Sequence, residues 1–158
     1  ATSVAYDLIM NCESGLSALL ADELWSLVGA TANPQAAGFI LEMVKTIRGL
    51  GGIAVTSTQG MQDLFGLEGG SYGKGILDAS RIKLVMQMEE QEARLIQDKL
   101  NLSEDEVRQI TRFRRGEGLL CIGYNHVPVA FYTTPKEYEA ITTSPTDLRR
   151  GRQGDSDE

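Results

Sequence analysis

Short apolar runs alternate with stretches of helical periodicity along this chain of 158 residues. Apolar and often β-branched runs bounded by turn residues are typical of strands. They predict strands at 16–21, 53–57, 82–86, 119–123 and 129–133. Apolar residues that repeat every three or four positions, with capping residues before them, indicate helices. They predict helices at 4–10, 23–28, 34–48, 89–100, 103–113 and 136–141, and a short helix or turn at 59–66.

The order of these elements indicates the fold class. Strands separated by helices favour a parallel sheet with right-handed crossovers. The last two strands, joined by a turn at Asn125-His126, favour an antiparallel hairpin at the sheet edge. The glycine-rich segment 67–75 is predicted to be a mobile surface loop. We therefore expect one α/β domain over 1–142 and a disordered polar tail over 143–158.

The first predicted strand ends on two adjacent carboxylates, Asp22 and Glu23. A buried strand that closes on Asp-Glu is typical of the half of a P-loop nucleotidase that handles metal and water. In such a site the first acid holds Mg²⁺, and the second orients or deprotonates the water that attacks the γ-phosphate. Acids are also favoured in the first turn of a helix, so the pair arises without a nucleotide site as well.

The phosphate-binding half of such a site is absent from the sequence. No G-x-x-x-x-G-K-[ST] pattern occurs in the 158 residues. The segment 69–75 comes near it, but Glu68 and Gly75 stand where the pattern needs Gly and Ser or Thr. The sequence by itself therefore predicts no cradle for a triphosphate.

Two amides and one arginine are candidates to complete the site. Gln59 and Gln87 follow predicted strands, and parallel strands gather their carboxyl ends on one rim, where ligands bind. The amide of Gln59 could contact phosphate or the attacking water, or it could cap the next helix. Arg48, at the end of the long helix, could act as an arginine finger on a neighbouring subunit or interact with the helix dipole.

Composition narrows the classes of function. A net charge of −7 argues against a surface that wraps nucleic acid. The arginine cluster at 112–115 is interpreted as solvated loop charges, with a local phosphate or nucleic-acid contact as the alternative. Cys12 and Cys121 lie far apart without metal-ligand spacing, so both are predicted to be buried, reduced thiols. His126, the one histidine, is predicted to lie in a surface turn without catalytic partners. No apolar stretch has the length of a membrane span.

Taken in order, these segments resemble the C-terminal part of the large ATPase of type IV secretion and conjugation systems, of the TraC/TraE or VirB-four type. Those proteins belong with the FtsK/HerA-like motors of the RecA-like P-loop class. The resemblance covers nearly the whole chain up to about residue 142, and it depends on an ordered series of segments. These are 19–25 as the Walker B strand, then 45–52, 53–59, 72–77, 83–87 and 115–120.

The resemblance implies a RecA-like sheet, mostly parallel and flanked by helices, that binds ATP and Mg²⁺. Asp22 would be the acid on the Mg²⁺ side of the nucleotide, and Glu23 would be the catalytic glutamate. Arg48 would reach the nucleotide of the next subunit, and Gln59 would sense the phosphate. The resemblance also implies that the P-loop lies upstream of this sequence, so that these residues form a partial domain that is inactive alone.

The same resemblance implies self-association into a hexameric ring, or into dimers that close into one. The ring would dock on the cytoplasmic face of the inner membrane with other type IV secretion subunits, and would power a conjugation channel. Two alternatives stay open: an FtsK/HerA-like pump that contacts DNA, and a non-catalytic scaffold. Basic pore loops would favour the pump, and an upstream Walker A motif would exclude the scaffold.

Overall fold

The described residues form two sheets and seven α-helices, which confirms the α/β class. A computed structural model describes residues 17–142, so the helix predicted at 4–10, the tail at 143–158 and Cys12 lie outside the described residues. Within the described range, no helix is both long and apolar enough to cross a bilayer.

Strands and helices alternate along the chain. The first half contains β1 Ala18–Ala21, α1 Trp25–Val28, α2 Pro34–Thr46, β2 Ile53–Thr56, α3 Met61–Leu64 and α4 Ser71–Ala79. The second half contains β3 Ile82–Met86, α5 Glu90–Leu100, α6 Glu104–Ile110, β4 Glu117–Ile122, β5 Asn125–Ala130 and α7 Pro135–Ile141. Two 3-10 turns, Ile47–Leu50 and Leu67–Gly70, precede β2 and α4.

The two sheets differ in direction. β1 and β2 pair in parallel, with Ala18 opposite Ile53, so residues 35 positions apart lie side by side. β3, β4 and β5 form a separate antiparallel sheet in that order. The sequence predicts β3 as a further parallel strand, but among the described residues it pairs with β4, with Leu84 opposite Leu120. A single crossover helix favours parallel pairing of the strands that it joins, but two helices, α5 and α6, connect β3 to β4.

Two apolar clusters hold the elements together. The first joins the helices α1 to α4 and consists of Leu24, Val28, Ala37, Ile40, Leu64 and Ile76. The second packs α5 and α6 against the antiparallel sheet and consists of Val85, Ala93, Ile96, Leu100, Leu102, Val107, Ile110, Leu119 and Cys121. Removing such apolar surface from water is the main favourable term in folding. Cys121 is a buried free thiol, as predicted.

Helices begin at the capping residues that the sequence contains. The side chain of Asn33 accepts a hydrogen bond from the backbone N–H of Gln35 at 2.8 Å, and Pro34 opens α2. Ser103 and Glu106 form the predicted capping box at the start of α6. Both predicted starts are confirmed. They could be predicted from the sequence because each bonding partner lies within three residues of the cap.

The glycine-rich segment 67–75 enters a helix and is not the predicted loop, because α4 runs through its last two glycines. A Cβ on Gly73 would lie 2.3 Å from the carbonyl oxygen of Leu64, and one on Gly75 would lie 2.8 Å from Cδ1 of Leu41. These glycines allow α4 to pack closely against its neighbours. The prediction of a loop is wrong, because here the missing Cβ of glycine allows close helix packing and does not loosen the chain.

The C-terminal hairpin is confirmed, but its turn lies earlier than predicted. β4 and β5 are joined at Gly123 and Tyr124, whereas Asn125 and His126 belong to β5. Gly123 has a left-handed φ of 62°, which tight hairpin turns require and which glycine adopts without strain. The register places His126 opposite Cys121, on the covered face of the sheet.

One face of the parallel sheet is apolar and exposed to solvent. Leu20, Ile53 and Val55 share this face, and their side chains are 75%, 60% and 52% exposed. The antiparallel sheet has a comparable face, formed by Ile82, Leu84, Met86, Ile122 and Val127. Exposed apolar patches mark surfaces at which a protein contacts something else.

Candidate functional site

The carboxyl ends of β1 and β2 meet at one edge of the parallel sheet. Their pairing continues past the strands, since the N–H of Ser57 donates to the carbonyl of Ala21 at 2.9 Å. The N–H of Leu24 then donates to the carbonyl of Ser57 at 2.8 Å, and the Leu24 side chain is buried in the first apolar cluster. These contacts hold Asp22 and Glu23 beside the segment that follows β2.

The Asp22 carboxylate accepts two hydrogen bonds at this edge. Its Oδ1 accepts the hydroxyl of Ser57 and the backbone N–H of Glu23, the latter at 2.9 Å. The Ser57 hydroxyl, and then the Glu23 N–H, lower the pKa of Asp22, because both bonds favour the charged form. Asp22 is exposed and ionised at neutral pH, which suits a ligand of a hard cation.

The Glu23 carboxylate is held from both sides. Its Oε1 accepts the side-chain amide of Gln59 at 2.5 Å, and its Oε2 accepts the indole N–H of Trp25 at 2.6 Å. The carbonyl oxygen of Glu23 accepts the backbone N–H and the hydroxyl of Ser26, at 2.9 and 2.8 Å. The structure therefore brings the side chains of Glu23 and Gln59 into direct contact, one residue away from Asp22.

Two other residues considered from the sequence lie away from this edge. Arg48 is exposed in the 3-10 turn before β2, at the opposite end of that strand from Gln59. This turn lies beside the start of β1, where the N–H of Ile53 donates to the carbonyl of Ser17 at 2.8 Å. Gln87 follows β3 and therefore lies at the end of a strand in the other sheet. The expected convergence of strand-end side chains holds for β1 and β2 alone.

Reasoning from the sequence missed Ser57 and Trp25. Ser57 contacts Asp22 because the parallel register brings together residues 35 positions apart, and two short strands do not reveal their register. Trp25 was readable, since it follows Glu23 by two positions and its indole N–H is a donor with no acceptor function. A donor-only side chain so close to a candidate catalytic acid is the signal that could have found it.

His126 is placed differently from the predicted surface turn. Its side chain is 9% exposed, and its Nδ1 lies 2.7 Å from Oε1 of Glu106. Burial raises the pKa of Glu106, but hydrogen bonds from Ser103 and His126 lower it by more, so the net shift is downward. This pair ties β5 to the start of α6.

The described structure has likenesses among solved proteins. No protein-family model and no curated protein matches the chain. VirB4 of Thermoanaerobacter pseudethanolicus is similar to it, with a TM-score of 0.77 and 30% sequence identity, over 85% of this chain and 36% of that chain. The chain belongs to the VirB4/TraC-type ATPase family.

A second likeness is to the genome packaging NTPase B204 from Sulfolobus turreted icosahedral virus 2. Its complexes with AMP, ATP-γS and AMPPCP give TM-scores of 0.52, 0.53 and 0.55 at 16% identity, over 74% of this chain. At that identity the likeness shows the fold alone. This chain spans 36% of the length of the VirB4 chain and 52–53% of the length of the B204 chains.

The residues at the edge fit a nucleotide-bound Mg²⁺. Among residues 17–142, no group of three or more His, Cys, Asp or Glu side chains is placed to hold a metal by itself. Mg²⁺ at a nucleotide needs fewer protein ligands, since waters and phosphate oxygens complete its shell. Asp22 and the hydroxyl of Ser57 supply oxygens here. In the same segment the buried Oγ1 of Thr58 has no hydrogen-bond partner among the described residues.

Proposed function

We propose that this chain provides the metal-and-water half of the ATP-hydrolysing site in a motor of type IV secretion systems. The observation that carries the proposal is the contact of Glu23 with Gln59, directly beside an ionised Asp22 at the carboxyl edge of a parallel sheet. Nucleotide hydrolysis requires a water-positioning residue, a phosphate-binding donor and a metal-side acid at one place. The similarity to VirB4 supports this reading.

Each side chain has a distinct part in this proposal. Asp22 holds Mg²⁺, directly or through water, and the ion when bound neutralises charge on the phosphate oxygens. Glu23 orients the attacking water and accepts its proton. Gln59 donates its amide N–H to an oxygen of the γ-phosphate. Because the same amide bonds Glu23, Gln59 links the presence of the phosphate to the orientation of the base.

The phosphate cradle is proposed to come from polypeptide outside these 158 residues. The sequence contains no P-loop, and the chain corresponds to 36% of the VirB4 chain. The bare apolar face formed by Leu20, Ile53 and Val55 supports this, because a segment that carries the P-loop would cover it. Without the backbone amides and the lysine of that loop, most of the charge stabilisation of the triphosphate is missing.

The motor is proposed to act as a ring, either a hexamer or dimers that close into one. Arg48 is exposed at the end of β2 that lies away from the acids, which suits a contact across a subunit interface. There its guanidinium would neutralise charge that develops on the γ-phosphate of the next subunit. The ring would lie at the cytoplasmic face of the inner membrane, with other type IV secretion subunits as partners.

The proposal is tested in the full-length protein with Glu23→Gln, which keeps the shape of the side chain and removes the proton acceptor. We expect kcat to fall about a hundredfold or more, the usual scale for a positioned general base, with ATP affinity close to wild type. Glu68→Gln is the matched control, since Glu68 is an exposed glutamate that also has a left-handed φ, and it should hydrolyse ATP normally. Hydrolysis by Glu23→Gln near the wild-type rate would contradict the proposal.

A further inference from the structure

The single tryptophan of the chain donates its one hydrogen bond to the candidate catalytic base. Trp25 is the first residue of α1, and its Nε1 lies 2.6 Å from Oε2 of Glu23 in a partly buried contact. The indole N–H has no acceptor function, so the direction of this hydrogen bond is unambiguous. A hydrogen bond to a carboxylate is charge-assisted and stronger than one between neutral groups.

The backbone of Glu23 needs such a restraint. Its φ of 52° lies in the left-handed region, which residues other than glycine rarely adopt. A strained residue persists when the surrounding contacts determine it, and such residues cluster at functional sites. Here the contacts are the two bonds to the Glu23 carbonyl from Ser26, and the two bonds to its carboxylate.

The two partners of the Glu23 carboxylate are not equivalent. Gln59 is exposed and carries its amide on a flexible side chain, so it can leave Oε1 for a phosphate oxygen. Trp25 is half-buried at the start of α1, the helix that Leu24 and Val28 anchor in the first apolar cluster. Because the backbone of Trp25 lies between these two buried residues, its indole can stay on Oε2 while the other oxygen changes partner.

We propose that Trp25 is the positioning residue of Glu23, an inference that rests on the proposed function. Its indole N–H holds Oε2 throughout the cycle, so that Oε1 is free to accept the proton of the attacking water when Gln59 turns to the phosphate. A purely structural Trp25 would serve through the bulk of its ring, and phenylalanine would replace it without effect on chemistry.

The contact is tested by NMR on the full-length protein, through the indole N–H resonance assigned to Trp25. Glu23→Gln replaces the carboxylate with a weaker, neutral acceptor, so the indole proton should move upfield. Glu68→Gln, the same change at the other left-handed glutamate, should leave that resonance where it is. An indole proton that Glu23→Gln does not move overturns the proposal.

The catalytic consequence is tested with Trp25→Phe in the full-length protein. We expect kcat to fall about tenfold or more, the rate equivalent of one hydrogen bond to a charged group, with KM for ATP unchanged. In the Glu23→Gln background the same substitution should cost nothing further, because the residue acts through Glu23. Two results would overturn the positioning role. One is an equal fall in kcat on Trp25→Phe in the wild-type and Glu23→Gln backgrounds, and the other is a kcat of Trp25→Phe equal to that of the wild type. If the indole shift is seen but the wild-type protein hydrolyses no ATP, the proposed function fails and the contact stands.

Discussion

Gly73→Ala is expected to destabilise the protein even though alanine favours helices. Inside a helix alanine is about 1 kcal/mol better than glycine. At this position, however, the new Cβ would lie 2.3 Å from the carbonyl oxygen of Leu64, whereas real Cβ atoms essentially never come within 3.0 Å of another atom. The obstacle is backbone, so a whole helix must shift, which places the cost near the upper end of the range of about 1–3 kcal/mol for overpacking. We therefore expect a net loss of roughly 1–2 kcal/mol in the free energy of unfolding.

Gly75→Ala is the matched control, two residues later on the same helix. Its Cβ would meet the end of the Leu41 side chain, 2.8 Å from Cδ1, and that side chain can rotate away. The free energy of unfolding of both variants is measured by urea unfolding of the 158-residue chain, followed by the fluorescence of Trp25, its single tryptophan. With an m value of about 2 kcal/mol/M, the midpoint of Gly73→Ala should fall by about 0.5–1 M, while that of Gly75→Ala stays near wild type or rises. Equal midpoints for the two variants would refute the close packing of α4 on α3.

Three other substitutions give separate expectations. Asp22→Asn should weaken ATP binding when Mg²⁺ is present and leave it unchanged when Mg²⁺ is absent, which calorimetric titration of the full-length protein measures. Arg48→Ala should abolish turnover in the assembled ring and spare nucleotide binding, and mixing it with Glu23→Gln should restore some hydrolysis. Failure of the mixed ring to recover would mean that Arg48 acts within its own subunit. Folding lowers the pKa of Glu106 below its ordinary value of 4.5, so the unfolded chain binds more protons than the folded chain. The ionised carboxylate therefore stabilises the folded state above pH 4.5, and this contribution is lost as the pH falls below that value. The urea midpoint of Glu106→Gln should therefore change less with pH below 4.5 than that of the wild type, and identical slopes would count against the shift.

The sequence is sufficient where a short segment determines its own structure. The start of α2 at Asn33-Pro34 and the capping box of Ser103 and Glu106 involve partners within three residues, so both are readable without a fold. The adjacent acids Asp22 and Glu23 are visible for the same reason, because they directly follow an apolar run. Alternation of strands and helices then indicates the α/β class.

The sequence is insufficient where residues meet through tertiary packing. Gly73 suggests a flexible loop until α3 is known to lie against it, when it becomes a close contact inside a helix. Ser57 meets Asp22 through a register that the strands do not reveal. The sequence places the last hairpin turn at Asn125-His126, but the strand pairing extends to Asn125 and the turn forms at Gly123, which adopts a left-handed φ.

The central claim is that Asp22, Glu23 and Gln59 surround the γ-phosphate of a bound nucleotide. A crystal structure of the full-length protein with Mg²⁺ and a non-hydrolysable ATP analogue tests it most directly. We expect the Gln59 amide to lie about 3 Å from an oxygen of the γ-phosphate, with Asp22 bound to Mg²⁺ directly or through one water. A water between Glu23 and the phosphorus atom completes the expected arrangement. A nucleotide bound elsewhere, with the Gln59 amide still on Glu23 and no phosphate at this edge, would contradict the account.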